Sequence, residues 1–170
     1  VVMDNKAPII SNSAKLYKFS KPPVATISWV AATSSYTYAF ADTSKPDSSQ
    51  LYDKDMYVRN ETNAYWYIAV PVQDENELSS SNPVRITRKI GTGSGIILSG
   101  VECAAANTTV ASNSFYYVNN FYNGKLTAKV LFIPVMNGVP DTATDVSYVI
   151  SVTDGDNTQH TTTATFQFKI

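Results

Sequence analysis

Histidine and cysteine are the side chains most often used as base and nucleophile near neutral pH, and this 170-residue chain has one of each, His160 and Cys103. A serine hydrolase needs a nucleophile, a base and an orienting acid, yet no G-x-S-x-G elbow is present and His160 has no recognisable partner in sequence. His160 lies in the polar turn Asn157-Thr158-Gln159-His160-Thr161 and reads as a surface residue. A Cys–His pair would need Cys103 as a thiolate, but its neighbours Val101 and Ala104 point to a small core residue with a raised thiol pKa. With no second cysteine, no intramolecular disulfide can form. The chain is therefore not expected to be an enzyme.

The glycine run Gly91-Thr92-Gly93-Ser94-Gly95 is followed by Ile96-Ile97 and lacks the Lys-[Ser/Thr] and helix of a phosphate loop, so it reads as a hairpin turn. Three groups of carboxylates stand close in sequence: Asp53 with Asp55, Asp74 with Glu75 and Glu77, and Asp154 with Asp156. Glycosidases need two carboxylates about 5–10 Å apart across a cleft, which sequence spacing does not establish, and solvated loop acids are the simpler reading. Asp154, Asp156 and Asn157 are the best candidates for a metal, calcium, because oxygen-rich loops suit that ion. They lack the spaced ligands and terminal Glu of an EF-hand loop. No other cofactor is suggested. Tyr36, Tyr38, Tyr65, Trp66, Tyr116, Tyr117 and Tyr122 are a potential sugar-stacking set, but all except Tyr122 read as core residues. The sequons Asn60-Glu61-Thr62 and Asn107-Thr108-Thr109 allow a glycan in a host that attaches one.

The elements that must position these residues are strands. Thr162, Ala164, Phe166, Phe168 and Ile170 alternate with Thr161, Thr163, Thr165, Gln167 and Lys169, the period of a half-buried strand. The same texture runs through Ala14–Phe19, Val24–Ala31, the face Tyr36, Tyr38 and Phe40, the face Val84, Ile86, Arg88 and Ile90, Ile96–Cys103, and Val146–Val152. Ala64–Val72 is apolar on both faces and reads as a central strand whose regular pairing stops at Pro71. Phe115–Val118 and Lys125–Val135 flank Asn123-Gly124, a tight-hairpin signal that Asn137-Gly138 repeats. Ala41–Gln50 reads as a surface loop, and no amphipathic helix of useful length is found. The expected fold is all-β, an antiparallel β-sandwich of immunoglobulin-like or jelly-roll type. Trp29, Trp66, Phe132, Phe166 and Phe168 are the predicted core aromatics.

At this length a single domain, residues 14–170, is expected behind an extended N-terminal arm, residues 1–13. Thirteen Lys and Arg balance 14 Asp and Glu, so no basic footprint for nucleic acid exists. No apolar run reaches the ~18 residues of a membrane-spanning helix. The start Val1-Val2-Met3 is expected to arise by processing or trimming. Charged residues make up only 16% of the chain, and Ser, Thr and Asn fill the polar faces, a balance of exported or virion-surface proteins. Val1, Val2, Met3, Ile9 and Ile10 make the arm apolar with no hairpin partner in sequence, so these residues are expected to contact another subunit.

The strand Tyr65-Trp66-Tyr67-Ile68-Ala69-Val70-Pro71, with Asn123-Gly124-Lys125-Leu126 through Phe132-Ile133-Pro134-Val135, resembles immunoglobulin-like modules of bacteriophage virion proteins. The Tyr-, Thr-, Val- and Asn-rich texture and the arm are also similar to secreted filament subunits that donate a strand to the next subunit. Both resemblances imply assembly. The expectation is a non-enzymatic structural subunit or module, extracellular or on a virion surface, whose partners are copies of itself or other proteins of the same assembly. The alternative is a carbohydrate-binding or adhesive module.

Overall fold

The computed structural model describes residues 6–19, 25–30, 35–40, 48–54, 56–59, 61, 64–102, 113–155 and 159–170, with 25–30 and 35–40 described for the backbone alone. The protein is all-β, and its strands form two packed sheets and a separate hairpin. The first sheet runs β5 (Ser48–Leu51), β2 (Lys15–Phe19), β6 (Tyr65–Gln73), β11 (Lys125–Val135), β10 (Ser114–Tyr122), β9 (Ser99–Glu102), with β1 (Ile9–Ile10) also paired to β6. The second runs β13 (Thr161–Lys169), β12 (Asp145–Thr153), β7 (Val84–Ile90), β8 (Ile96–Ile97). β3 (Ala25–Val30) and β4 (Ser35–Phe40) make the hairpin.

Alternation decides what each strand buries. Leu16, Ile68, Val70, Leu131 and Ile133 of the first sheet meet Ile86, Tyr148, Ile150, Phe166 and Phe168 of the second in one buried cluster. Each such side chain contributes about 1.5–3 kcal/mol on leaving water. The opposite parity of β2, β6, β10 and β11 buries Tyr17, Phe19, Tyr67, Ala69, Tyr116 and Phe132 in a second cluster on the outer face of the first sheet. This explains why Tyr65–Gln73 is apolar on both faces. It is a central strand, held by β2 and β1 on one side and β11 on the other.

Pairing does not stop at Pro71, which faces Val130 within a ladder that continues to Gln73 opposite Ala128. The N–H and C=O of a strand residue point to the same side. The Pro71 carbonyl accepts from Ser11 N at 2.9 Å, so its ring nitrogen faces the gap between β1 and β2, where no donor is needed. Ile96–Cys103 is likewise not one strand. β8 pairs β7 in the second sheet, buried Leu98 marks the crossing, and β9 joins β10 in the first. β9 pairs with β10 in parallel, so this sheet is mixed. Ser48–Gln50, read as loop, belong to edge strand β5, where main-chain pairing to β2 outweighs the polar side chains.

Asn123 and Gly124 have φ of 50° and 76° and close the β10–β11 hairpin as their types predict. Asn137-Gly138 does not repeat this turn. Met136 and Gly138 have φ of 77° and 75°, and the chain passes there from β11 in one sheet to β12 in the other. Arg88 Nη1, on a nearly buried side chain, donates to Asn137 O at 2.8 Å and ties down that corner.

Phe132, Phe166 and Phe168 are buried as expected. Trp66 is only half-buried; its indole N–H reaches Arg59 O at 2.9 Å and its ring lies 5.3 Å from Lys18 Nζ, so the polar edge of the indole holds it at the rim. The Trp29 side chain and Cys103 lie outside the described residues.

Tyr148 is completely buried, and loss of water raises its phenol pKa far above 10.0, against a smaller opposing effect of Arg88. Burial also raises Tyr17. Both rings stay protonated in the fold at pH values where the unfolded chain ionises. Their contribution is therefore complete below about pH 10 and is lost as the pH rises toward the folded-state values. Urea midpoints measured from pH 8 to 11 are expected to fall above pH 10, and Tyr148→Phe should flatten that fall. An unchanged slope in the variant would contradict the assignment.

Candidate functional site

Among the chemistry-bearing residues, His160 and Asp154 are brought together by the β12–β13 turn. Asp154 is fully buried; its Oδ1 accepts from His160 N at 2.9 Å and its Oδ2 lies 3.0 Å from His160 Nδ1. Asp154 N in turn donates to His160 O. His160 is thus half-buried and partnered, unlike the surface residue expected from its neighbours. Both Asp154 oxygens point into this clasp, which makes the residue a turn lock. Asp156 and Asn157, its proposed companions for calcium, lie outside the described residues, as do Asn60 and Asn107. Among the described residues no three His, Cys, Asp or Glu side chains gather as a metal site. Asp74 is buried and its Oδ2 accepts from the N–H groups of Asn76 and Glu77, so it shapes a turn.

A second cluster was not legible from residue type. Lys129 alternates in register with Leu131, Ile133 and Val135, and that parity points it between the sheets. It is 6% exposed, its Nζ sits 3.9 Å from the Tyr117 ring centroid and 2.5 Å from Asn119 Oδ1. Removal from water lowers its pKa to about 8, while the charge of Glu102 acts weakly the other way. Lys129 lines a cavity of about 330 Å³ bounded also by Ser79, Pro83, Gly100, Phe115 and Tyr117.

The surface features that favour binding lie on the edges. β5 and β8 pair on one side only among the described residues, and they expose Leu51, Ile96 and Ile97 at 60%, 43% and 54%. The edge of β13 is occupied instead. Gln167 N donates to Tyr52 Oη at 2.7 Å, that hydroxyl donates to Gln167 O, and Met56 and Val58 bond the backbone of Lys169.

The expected arm is only partly described. Ile9 and Ile10 pair with Gln73 and Val72 of the same chain, Pro8 is buried and its carbonyl accepts from Thr162 Oγ1. Ile9 and Ile10, without a hairpin partner in sequence, therefore have one remote along the chain. Val1, Val2 and Met3 lie outside the described residues. At the β10–β11 hairpin tip, Phe121 and Tyr122 are 61% and 68% exposed, whereas Tyr116 is buried and Tyr117 is half-buried. Tyr122 also lines a shallow pocket of about 190 Å³ with Gln73, Glu75 and Asn120.

Fold and site together define an all-β, two-sheet protein with apolar residues on open strand edges. No family model, curated protein or solved structure matches the chain.

Proposed function

We propose that the chain is a non-enzymatic structural subunit or module of an external assembly, a virion surface or an extracellular filament, joined to copies of itself or to sister proteins through strand edges. The observation that carries this reading is the placement of Leu51, Ile96 and Ile97 on the edge strands β5 and β8. An edge strand offers unpaired backbone groups, and an apolar side chain beside them gives an added strand something to bury. The occupied edge of β13 sharpens the contrast, since pairing there would first have to displace Tyr52. Ile9, 56% exposed on β1, can add to such a contact, and Ile10, Val1, Val2 and Met3 remain part of the proposed assembly segment.

Lysine on an edge blocks strand addition while leaving the fold intact. Ile97→Lys combined with Leu51→Lys is expected to abolish self-association, read by light scattering, with stability changed by no more than about 0.5 kcal/mol per site. Association equal to wild type in the folded variant would remove the edges from the account.

The hairpin tip supports the second reading, a carbohydrate-binding or adhesive module. Adjacent exposed aromatics beside Gln73, Glu75 and Asn120 provide a stacking face and polar groups together. Glycan binding that is lost in Tyr122→Ala, in a chain that stays monomeric, would favour it.

A further inference from the structure

Lys129 and Asn119 stand directly opposite each other in the β10–β11 ladder. Their side chains do more than neighbour. Nζ lies 2.5 Å from Oδ1, shorter than the usual N–H···O range of about 2.7–3.2 Å. With a C=O bond of about 1.23 Å, the amide carbon is no more than about 3.7 Å from the amine nitrogen, close to the separation of reacting atoms poised for attack. The Tyr117 ring covers the amine, and the sheets exclude most water from it.

We infer that Lys129 and Asn119 become joined by an intramolecular isopeptide bond that the folded chain makes itself. In the step, the neutral Lys129 amine attacks Cγ of Asn119. A bond forms between Nζ and Cγ, the bond between Cγ and Nδ2 breaks, and Nδ2 leaves as ammonia with the proton that Nζ releases. Nothing is oxidised or reduced, and no other reactant enters. The adjoining cavity gives ammonia a place to go. Glu102 pairs with Tyr117 in the β9–β10 ladder and its charge acts on the amine, which makes its carboxylate the candidate for carrying the proton from Nζ to Nδ2.

Two features make the attack accessible at neutral pH. An amine with a pKa near 8 is neutral in about a tenth of molecules at pH 7, roughly two hundred times the fraction for an exposed lysine. The opposed positions on a regular ladder also hold the pair at a short separation without a search through loop conformations. The product would tie two long strands of the larger sheet together covalently, whether or not the chain assembles.

The test is the intact mass of the purified, folded full chain, followed by tandem mass spectrometry of a digest. The expected result is a mass one ammonia below that of the sequence and a branched peptide linking Lys129 to Asn119. Lys129→Arg, Asn119→Ala and Glu102→Gln should each keep the full mass. Asn119→Asp should lose one water instead and arrive at the same product mass. Cyclic imide formation at Asn123-Gly124 or Asn137-Gly138 also releases ammonia, and the branched peptide distinguishes the two. A folded wild-type chain at its full mass overturns the proposal, and so does an ammonia loss that maps to Asn123 or Asn137. Because wild type carries the decisive reading, a variant that fails to fold leaves the outcome defined.

Discussion

Replacing Phe168 with alanine is expected to cost about 3–5 kcal/mol. The ring is fully buried at the junction of the two sheets. It packs edge-on against Tyr52 at 5.5 Å and Tyr148 at 6.4 Å between ring centroids. These partners sit on different elements, one before β6 and one on β12, so the space cannot close by moving a single strand. The loss is therefore both apolar transfer and residual cavity. Phe166, 6% exposed and 4.9 Å from the same Tyr52 ring, should lie near the lower end of that range. Thr165→Ala, between them but on the exposed face, should change stability by no more than about 0.5 kcal/mol. Urea denaturation measures all three, and an unchanged midpoint for Phe168→Ala would contradict the packing described.

The second large effect belongs to Asp154. Its removal strips the acceptors from both the backbone N–H and the imidazole of His160, inside a site with no water-exposed carboxylate surface. Asp154→Ala should cost about 2–4 kcal/mol, since two donors of half-buried His160 lose their acceptors and the closing hairpin loses its lock. His160→Ala should cost less, about 1–2 kcal/mol, because the backbone bond to Asp154 survives. Thermal unfolding of the two variants reads the order directly. If His160→Ala were the more damaging, the imidazole would be doing more than closing a turn.

Parity made much of the fold legible in the sequence. Period two assigned the buried face of β13, the two apolar faces of β6 and the hairpin at Asn123-Gly124, each decided by a handful of neighbouring residues. What parity does not contain is the identity of the neighbouring strand. Ile96–Cys103 therefore looked continuous although it changes sheets at Leu98, and Ile9–Ile10 looked unpartnered although Gln73 and Val72 lie opposite. Lys129 was missed for a different reason. It falls on an apolar register beside Leu131, as Arg88 falls on the face with Ile86, and that alternation was the signal that it points inward. The pairing of His160 with Asp154 depends on how a turn of several residues closes, which composition does not encode. The exposed apolar residues on β5 and β8 became meaningful only once those strands were seen to be edges.

Sedimentation velocity of the full chain over a concentration series at physiological salt tests the assembly reading most directly. The account predicts a shift from monomer to larger species with rising concentration, absent in the chain carrying Leu51→Lys and Ile97→Lys. A folded wild-type chain that remains monomeric at every concentration would contradict the account.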